Sequence, residues 1–330
     1  MRPAALDALA WPSCGHAVEV GKIVRGAPER IEEGELTDSV CGHRAQIRRF
    51  IPRFAQGGPD VDSFGYQWRR FARTQLDRYN GTTLSRQRFF DGTGWAPQEL
   101  AGQRILEAGC GAGRFTDILL SSGADVYAFD ATEAVDVCLE NVGPHPRLSL
   151  IQARLEEAPF KPGAFDRIFC YGVLQHVADP RAAFVRLVSW LRPGGALAAD
   201  VYRRAFMPSR WNARHLWRPV TRRLPKPLLY KVVERYVPPW IEVENRCARI
   251  PKLRGLLASV VPCWNYTGTP GLTAAQIKEW AVLDTFDALA AWHDHPQTER
   301  AVEEWCRAAG LADARVRRGG NGIVVTARKP

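Results

Sequence analysis

No apolar run in the chain approaches the ~20 residues that a bilayer-spanning helix needs, so no transmembrane anchor is expected. The opening residues, MRPAALDALAWPSCGH, lack the basic-then-apolar order of a secretory signal, and the expected compartment is the cytoplasm. No C-x-x-C pair occurs among the eight cysteines, Cys14, Cys41, Cys110, Cys138, Cys170, Cys247, Cys263 and Cys306. In a reducing compartment such scattered thiols read as buried residues or ligands, not as a disulfide framework. Neither an internal repeat nor a low-complexity tract is present, which excludes repeat architectures.

What is there suits a soluble globular protein. With 330 residues, 46% of them hydrophobic and 24% charged, the chain can bury one large domain with additions. The net charge of +10 is local: residues 203–266 hold 14 Lys and Arg against 3 Asp and Glu, and the remainder is nearly neutral. That segment asks for a partner or substrate with negative charge.

Residues 1–57 read as a small unit of short strands, around Ala17–Val20 and Ala45–Phe50, ended by Pro52 and the Gly57-Gly58-Pro59 break. Residues 58–100 form a helical linker. Within it Phe64, Trp68, Phe71 and Leu76 recur at helical spacing, so one helix is predicted over Phe64–Gly81. From 101 to 202 the pattern alternates. Strands are predicted at Arg104–Ala108, Asp125–Phe129, Leu148–Ala153, Phe165–Tyr171 and Ala196–Tyr202, with helices at Gly113–Ser121, Glu133–Asn141 and Arg181–Leu191. Repeated β-α units of this kind imply an α/β, doubly wound, mostly parallel sheet of the Rossmann-like class. Residues 203–295 interrupt the rhythm as a basic helical insert. Residues 296–330 resume it with a helix, Thr298–Ala309, and a hairpin of Arg315–Val316 and Ile323–Ala327 that adds an antiparallel edge.

The strongest motif is LEAGCGAGRFT at 106–116. A strand ends, glycines follow at 109, 111 and 113, and a helix starts; such a turn lets backbone approach a ligand closely. The spacing is G-x-G-x-G and not the G-x-G-x-x-G of dinucleotide sites. Glu107 precedes the loop, where a pyrophosphate would be repelled and a cationic ligand welcomed. Asp130 ends the next strand, placed to accept both hydroxyls of a ribose.

These marks, with FDRIFCYGVLQHVADP at 165–180 and LRPGGALAADV at 191–201, resemble the class I S-adenosylmethionine-dependent methyltransferases. The likeness covers residues 101–202. It implies a seven-stranded sheet and S-adenosylmethionine as cofactor. Glu107, Gly109, Cys110, Gly111 and Gly113 would lie near the methionine end, and Tyr171 and Gly172 would line its side. Asp130 with Ala131 would meet the ribose. The adenine would sit beside Arg154 and Leu155. One departure stands out: where the family often has an acidic residue for the adenine amine, this chain has Arg154, which cannot accept a hydrogen bond. Backbone or Glu156 would have to serve. Cys110 reads as a small buried residue and not as a nucleophile.

For catalysis, His176 in GVLQHV follows the fourth strand at the carboxyl edge of the sheet and suits a general base; a structural role capping the next helix is the alternative. A second cluster, EWAVLDTFDALAAWHDHPQT at 279–298, offers Asp284, Asp287 and His293 to orient or deprotonate an acceptor. The wider chain resembles bacterial methyltransferases that carry a ribbon-like N-terminal unit and serve sugar, glycolipid or specialised-metabolite assembly. An O- or N-methylated small-molecule acceptor with anionic or polar groups is the implied substrate, and insertions before the last helix commonly roof its pocket in that family. The other readings are C-methylation of an anionic prenyl-type substrate and a non-catalytic binding protein. In the insert, Arg interleaved with Trp211, Leu216 and Trp217 suits an anionic acceptor first and a transient membrane-surface contact second; nucleic acid is not expected.

The triplet Cys-Gly-His occurs twice, at Cys14–His16 and Cys41–His43. Both resemble C-P-x-C-G knuckles of a zinc ribbon whose first cysteine is replaced, by Trp11 and Asp38. Cys14, His16, Cys41 and His43 would satisfy zinc. The simpler expectation is a metal-free structural unit in which Trp11 packs where a ligand was lost.

Overall fold

A computed structural model describes residues 1–54, 58, 61–204, 213–247, 250, 257 and 259–330. Trp211, Gly57 and Pro59, singled out above, lie outside the described residues. The chain divides into two compact units: Met1–Gly57, Ser85–Arg203 and His293–Pro330 form the first, and Gly58–Leu84 with Arg204–Trp292 the second.

The first unit is built on one sheet. Its strands are β1 (Glu19–Ala27), β2 (Arg30–Thr37), β3 (Arg44–Arg48), β4 (Ile51–Arg53), β5 (Arg104–Ala108), β6 (Asp125–Asp130), β7 (Leu148–Gln152), β8 (Phe165–Cys170), β9 (Leu191–Val201), β10 (Ala312–Gly319) and β11 (Gly322–Arg328). They run in the order β1-β2-β3-β4-β7-β6-β5-β8-β9-β11-β10. The central pairs from β4 to β9 are parallel, and both flanks are antiparallel. The Rossmann-like class expected from the β-α rhythm is present, and the strand count corrects from seven to eleven. Four extra strands come from the N-terminal residues, expected to stand apart. Arg53 of β4 pairs with Gln152 of β7, Ala10 N–H donates to Pro159 O at 2.9 Å, and Lys161 N–H donates to Ala8 O at 2.9 Å.

Alternation along the central strands divides the core into two faces. Leu106, Tyr127, Phe129 and Ile168 lie with Trp11, Ile31, Leu36, Ile47, Trp190 and Trp305 in one buried cluster. Ile105, Val126, Ala128 and Phe169 lie with Phe89, Trp95 and Phe115 in the other. The N-terminal strands therefore share a hydrophobic face with the central sheet, which is why they extend it. The terminal hairpin enters as predicted, β11 antiparallel beside β9.

The second unit is helical: Asp62–Arg70, Asp77–Asn80, Ala213–Thr221, Lys226–Cys247 and Ala274–Ala290 are its main helices. The single helix predicted over Phe64–Gly81 is broken at Phe71. Thr74 O accepts from Trp280 Nε1 at 3.1 Å and from Asn80 Nδ2 at 3.0 Å, so its carbonyl serves side chains and not the next helical turn. Phe71, Leu229, Val233, Phe286 and Leu289 form this unit's core. No helix among the described residues is long and apolar enough to cross a membrane.

Two arginines of the insert, Arg218 and Arg222, have partners inside this unit. Arg218, 6% exposed, donates through Nε to Ala288 O at 2.8 Å, and Arg222 Nη1 donates to Trp292 O at 3.3 Å. Thr221 Oγ1 donates to Leu289 O at 2.8 Å. Arg218 and Thr221 satisfy two of the last carbonyls of the helix Ala274–Ala290, Arg222 binds a carbonyl just past its end, and the two guanidinium groups set positive charge at its negative end. For Arg218 and Arg222 the structure gives an internal carbonyl partner where the sequence suggested an anionic ligand.

Candidate cofactor and acceptor site

The carboxyl ends of β5, β6, β8 and β9 converge as the rule for open α/β sheets requires. The glycine loop follows β5. Gly109 and Cys110 N–H both donate to Phe129 O, at 2.8 and 3.0 Å, and Gly113 N–H donates to Cys110 O at 2.9 Å. The loop is thus pinned to the end of β6. Gly109 has φ of +75°, and a Cβ there would lie 2.2 Å from Val173 Cγ2, so only glycine lets this loop meet the turn after β8.

Glu107 is buried at the last turn of β5. Its Oε2 accepts from Thr116 Oγ1 at 2.6 Å, while Oε1 is enclosed with no partner in the structure. Burial pushes its carboxyl up to about 8, against the Thr116 hydrogen bonds that lower it. A cationic ligand would satisfy Oε1 and favour the ionised form. Asp130 accepts through Oδ2 from Gly111 N–H at 3.0 Å, and through Oδ1 from Thr132 N–H at 2.9 Å and Thr132 Oγ1 at 2.8 Å. Burial raises its carboxyl and these bonds oppose the rise. Three of about four acceptor positions are taken, leaving Oδ2 able to receive another hydroxyl. Ala131, next along the chain, gives its carbonyl to Gln152 Nε2 at 3.4 Å. Cys110 is buried, and its hydrogen bond to Cys138 together with burial holds its thiol well above the ordinary range. That is the inert thiol expected.

Arg154 precedes a short 3-10 turn, Leu155–Glu157, with Leu155 buried and Glu156 exposed. Tyr171 is buried with Oη unpartnered, and burial raises its hydroxyl above the ordinary range. Its ring fills the place of a side chain on Gly92: a Cβ there would lie 2.4 Å from Tyr171 Oη. Gly172 N–H donates to Asp200 Oδ1 at 2.5 Å.

Asp200 lies within the quoted stretch 191–201 but was not singled out from sequence. It lies near the end of β9, is 1% exposed, and accepts from Arg88 Nη2 at 2.9 Å. Arg88 comes from the helix Leu84–Thr93, far away in sequence. A buried charge paired this way fixes the turn after β8 through Gly172. The one available signal was an acidic residue in an otherwise apolar strand, LAADV.

His176 lies in the 3-10 turn Leu174–His176. Its Nδ1 is 3.0 Å from His293 O, and its ring meets Tyr202 edge-on at 5.5 Å. A carbonyl can only accept, so Nδ1 carries the proton and Nε2 is the basic nitrogen of the neutral ring. Two of the four predicted catalytic residues therefore meet, one through its ring and the other through its backbone. His293 stacks on His295 at 5.5 Å, and His295 N–H donates to Gln175 O at 2.9 Å. Gln175 is fully buried with both amide atoms unpartnered, as is the His295 Nε2 atom, and Gln175 was not singled out from sequence. Asp284 and Asp287 sit three apart on the helix Ala274–Ala290 of the second unit, where Tyr266 Oη donates to Asp284 Oδ2.

A family profile described as "Methyltransferase domain" matches residues 106–199, which span the glycine loop, Asp130, the turn after β8 and most of β9. The core is a class I S-adenosylmethionine-dependent methyltransferase domain. A stretch of 117 residues is 41% identical to an uncharacterised protein of Synechococcus sp., covering 33% of this chain and 28% of that one. Another of 102 residues is 38% identical to a ubiquinone biosynthesis O-methyltransferase of Xanthomonas euvesicatoria, covering 30% of this chain and 43% of that one. The matches thus span about a quarter to a half of the curated relatives' length. A solved magnesium protoporphyrin IX methyltransferase of Synechocystis with bound S-adenosylhomocysteine aligns over 82% of this chain and 97% of its own, at 15% identity and a TM-score of 0.43.

In the methyltransferase domain the residues fit the cofactor by their own chemistry. The unpartnered Glu107 Oε1 suits a cation, the glycine loop leaves backbone room, and Asp130 Oδ2 can take a hydroxyl.

Proposed function

We propose that the chain methylates an oxygen or nitrogen of a small polar acceptor, with His176 as the base. S-adenosylmethionine, when bound, supplies an electrophilic methyl group on its sulfonium. Glu107 meets the positive end of the cofactor, the loop 109–113 packs along it, and Asp130 receives a ribose hydroxyl. The turn after β8, with Tyr171 and Gly172, borders the same edge. The acceptor's hydroxyl or ammonium gives its proton to His176 Nε2, and the Nδ1 bond to His293 O holds the ring in the tautomer that can take it. Gln175, buried, and His295, half-buried with its Nε2 enclosed, have unpartnered polar atoms beside this histidine and supply orienting hydrogen bonds to the acceptor.

The anchored tautomer of His176, in a turn that touches the glycine loop through Val173, is the observation that carries this reading. The ubiquinone O-methyltransferase relatives support oxygen as the accepting atom. Sugars, glycolipids and phenolic specialised metabolites are the acceptor classes to assay.

The test is transfer of labelled methyl from S-adenosylmethionine to a panel of phenols, sugars and amines. His176→Gln should lower kcat by about 10²-fold or more and leave cofactor affinity within about twofold. An unchanged kcat removes His176 from the chemistry. Cofactor binding with no methylation of any panel member would favour a non-catalytic binding protein.

A further inference from the structure

The two Cys-Gly-His triplets sit in turns of the same construction. In the first, Trp11 N–H donates to His16 O at 2.9 Å and Gly15 N–H to Trp11 O at 2.7 Å. In the second, Asp38 N–H donates to His43 O and Gly42 N–H to Asp38 O, both at 3.0 Å. Each turn thereby presents its first, fourth and sixth side chains together: Trp11, Cys14 and His16 in one, Asp38, Cys41 and His43 in the other.

The first positions differ in kind. Trp11 has no ligand atom; its ring stacks on His43 with centroids 5.4 Å apart. Asp38 is 3% exposed and oriented. Its Oδ1 accepts from Val40 N–H at 2.8 Å and Cys41 N–H at 3.1 Å. Oδ2 points the other way, 3.2 Å from Cys14 Sγ and 3.2 Å from His43 Nδ1. Cys14 Sγ is 3.8 Å from His43 Nδ1. One ligand atom each from Cys14, Asp38, Cys41 and His43 lies within 4.8 Å of all the others.

Those separations can be set against a tetrahedron. Zinc bond lengths of about 2.3 Å to sulfur and about 2.0 Å to nitrogen and oxygen give edges of about 3.5 Å for S–O and S–N and about 3.3 Å for N–O. The three observed edges differ from these by about 0.3 Å or less. The outer contacts are those of a ligated set: the carboxylate is held by two backbone amides, and His43 Nε2 lies 3.0 Å from Ser13 Oγ, which leaves Nδ1 for a metal. Two thiols and an imidazole select a zinc-class ion over magnesium or calcium.

We propose that Cys14, Asp38, Cys41 and His43 bind a zinc-class divalent ion at a closed structural site. Asp38 takes the place of a knuckle cysteine, and His43 makes good the position that Trp11 gives up. His16 lies beside the set, 3.3 Å from Cys41 Sγ and 3.5 Å from Asp38 Oδ2, and is not among the four groups whose ligand atoms all lie within 4.8 Å of one another. The ion ties the turn before β1 to the turn between β2 and β3, and so braces the edge that the N-terminal strands add to the sheet.

Metal analysis of the untagged, reduced full chain tests this. The expected result is about one zinc per chain, and cobalt exchanged into the site should show a tetrahedral, thiolate-ligated absorption spectrum. Asp38→Asn keeps an oxygen for the Val40 and Cys41 amides but loses the ligand, so it should fold and bind no metal. His43→Ala should lose the metal and His16→Ala should keep it. A chelator should lower the melting midpoint of the wild type and leave that of Asp38→Asn unmoved. Failure of the reduced wild type to take up zinc or cobalt would overturn the proposal. So would a Cys14–Cys41 disulfide in the freshly isolated protein with no metal. Metal retained by His43→Ala and lost by His16→Ala would overturn the ligand assignment.

Discussion

Lowering the pH should weaken cofactor binding through Glu107. Its carboxyl is pushed up to about 8 by burial, and Oε1 has no partner in the structure. A cationic ligand prefers the ionised form, so binding must expel the proton whenever Glu107 holds one. The ionised fraction of a group titrating at about 8 is about 0.76 at about pH 8.5 and about 0.03 at about pH 6.5. Affinity for S-adenosylmethionine should therefore fall about 25-fold over that interval, with a proton released on binding at the lower pH. Calorimetry in two buffers of different ionisation enthalpy reads both quantities. Glu107→Gln removes the titration and should bind with affinity flat to within about twofold. Any titration of the ligand itself is shared by both proteins, so the ratio of their affinities isolates Glu107. A ratio that does not change with pH would refute the reasoning. The same raised value acts on folding with a defined sign. The unfolded chain sheds this proton near 4.5 and the folded one near 8, so the stabilising contribution is fully present below 4.5 and is lost as pH rises through 8.

Three further outcomes follow from particular contacts. Arg88→Ala leaves Asp200 buried without its ion pair; because Arg88 is itself about one-third exposed, the loss should be about 2–3 kcal/mol by denaturant titration, with weakened cofactor binding as the turn at Gly172 loosens. Gly92→Ala forces a methyl against Tyr171 Oη and should cost about 1–3 kcal/mol of stability, while substitution at Gly94, where a Cβ meets nothing within 4 Å, should disturb Tyr171 far less. Arg218→Ala strips the guanidinium from Ala288 O and should cost about 1–3 kcal/mol, lowering the melting midpoint; no change would return Arg218 to the pool of ligand-binding residues.

The core was legible because its signals are local. A strand ending in a glycine loop and an acid at the next strand end both fall within a few residues of the structure they specify. Strands β5 to β8 lie within a residue of their predicted bounds, and the terminal hairpin adds the predicted antiparallel edge. What escaped depends on long-range pairing. The N-terminal strands join the sheet through a three-residue strand and a single parallel register, Arg53 with Gln152, which no periodicity announces. Asp200 finds Arg88 across the chain, and Gln175 has no pattern of its own. The helix predicted over Phe64–Gly81 has the right apolar spacing, but Trp280 takes the carbonyl its continuation would need. The basic segment was visible by charge. Its use was not, since helix-terminal carbonyls and an anionic ligand call for the same arginines.

Calorimetric titration of the purified full chain with S-adenosylmethionine tests the central claim most directly. The account predicts a single saturable site, lost in Asp130→Ala and retained in His176→Gln. Absence of binding by the wild type at about pH 8.5, where Glu107 is mostly ionised, would contradict it.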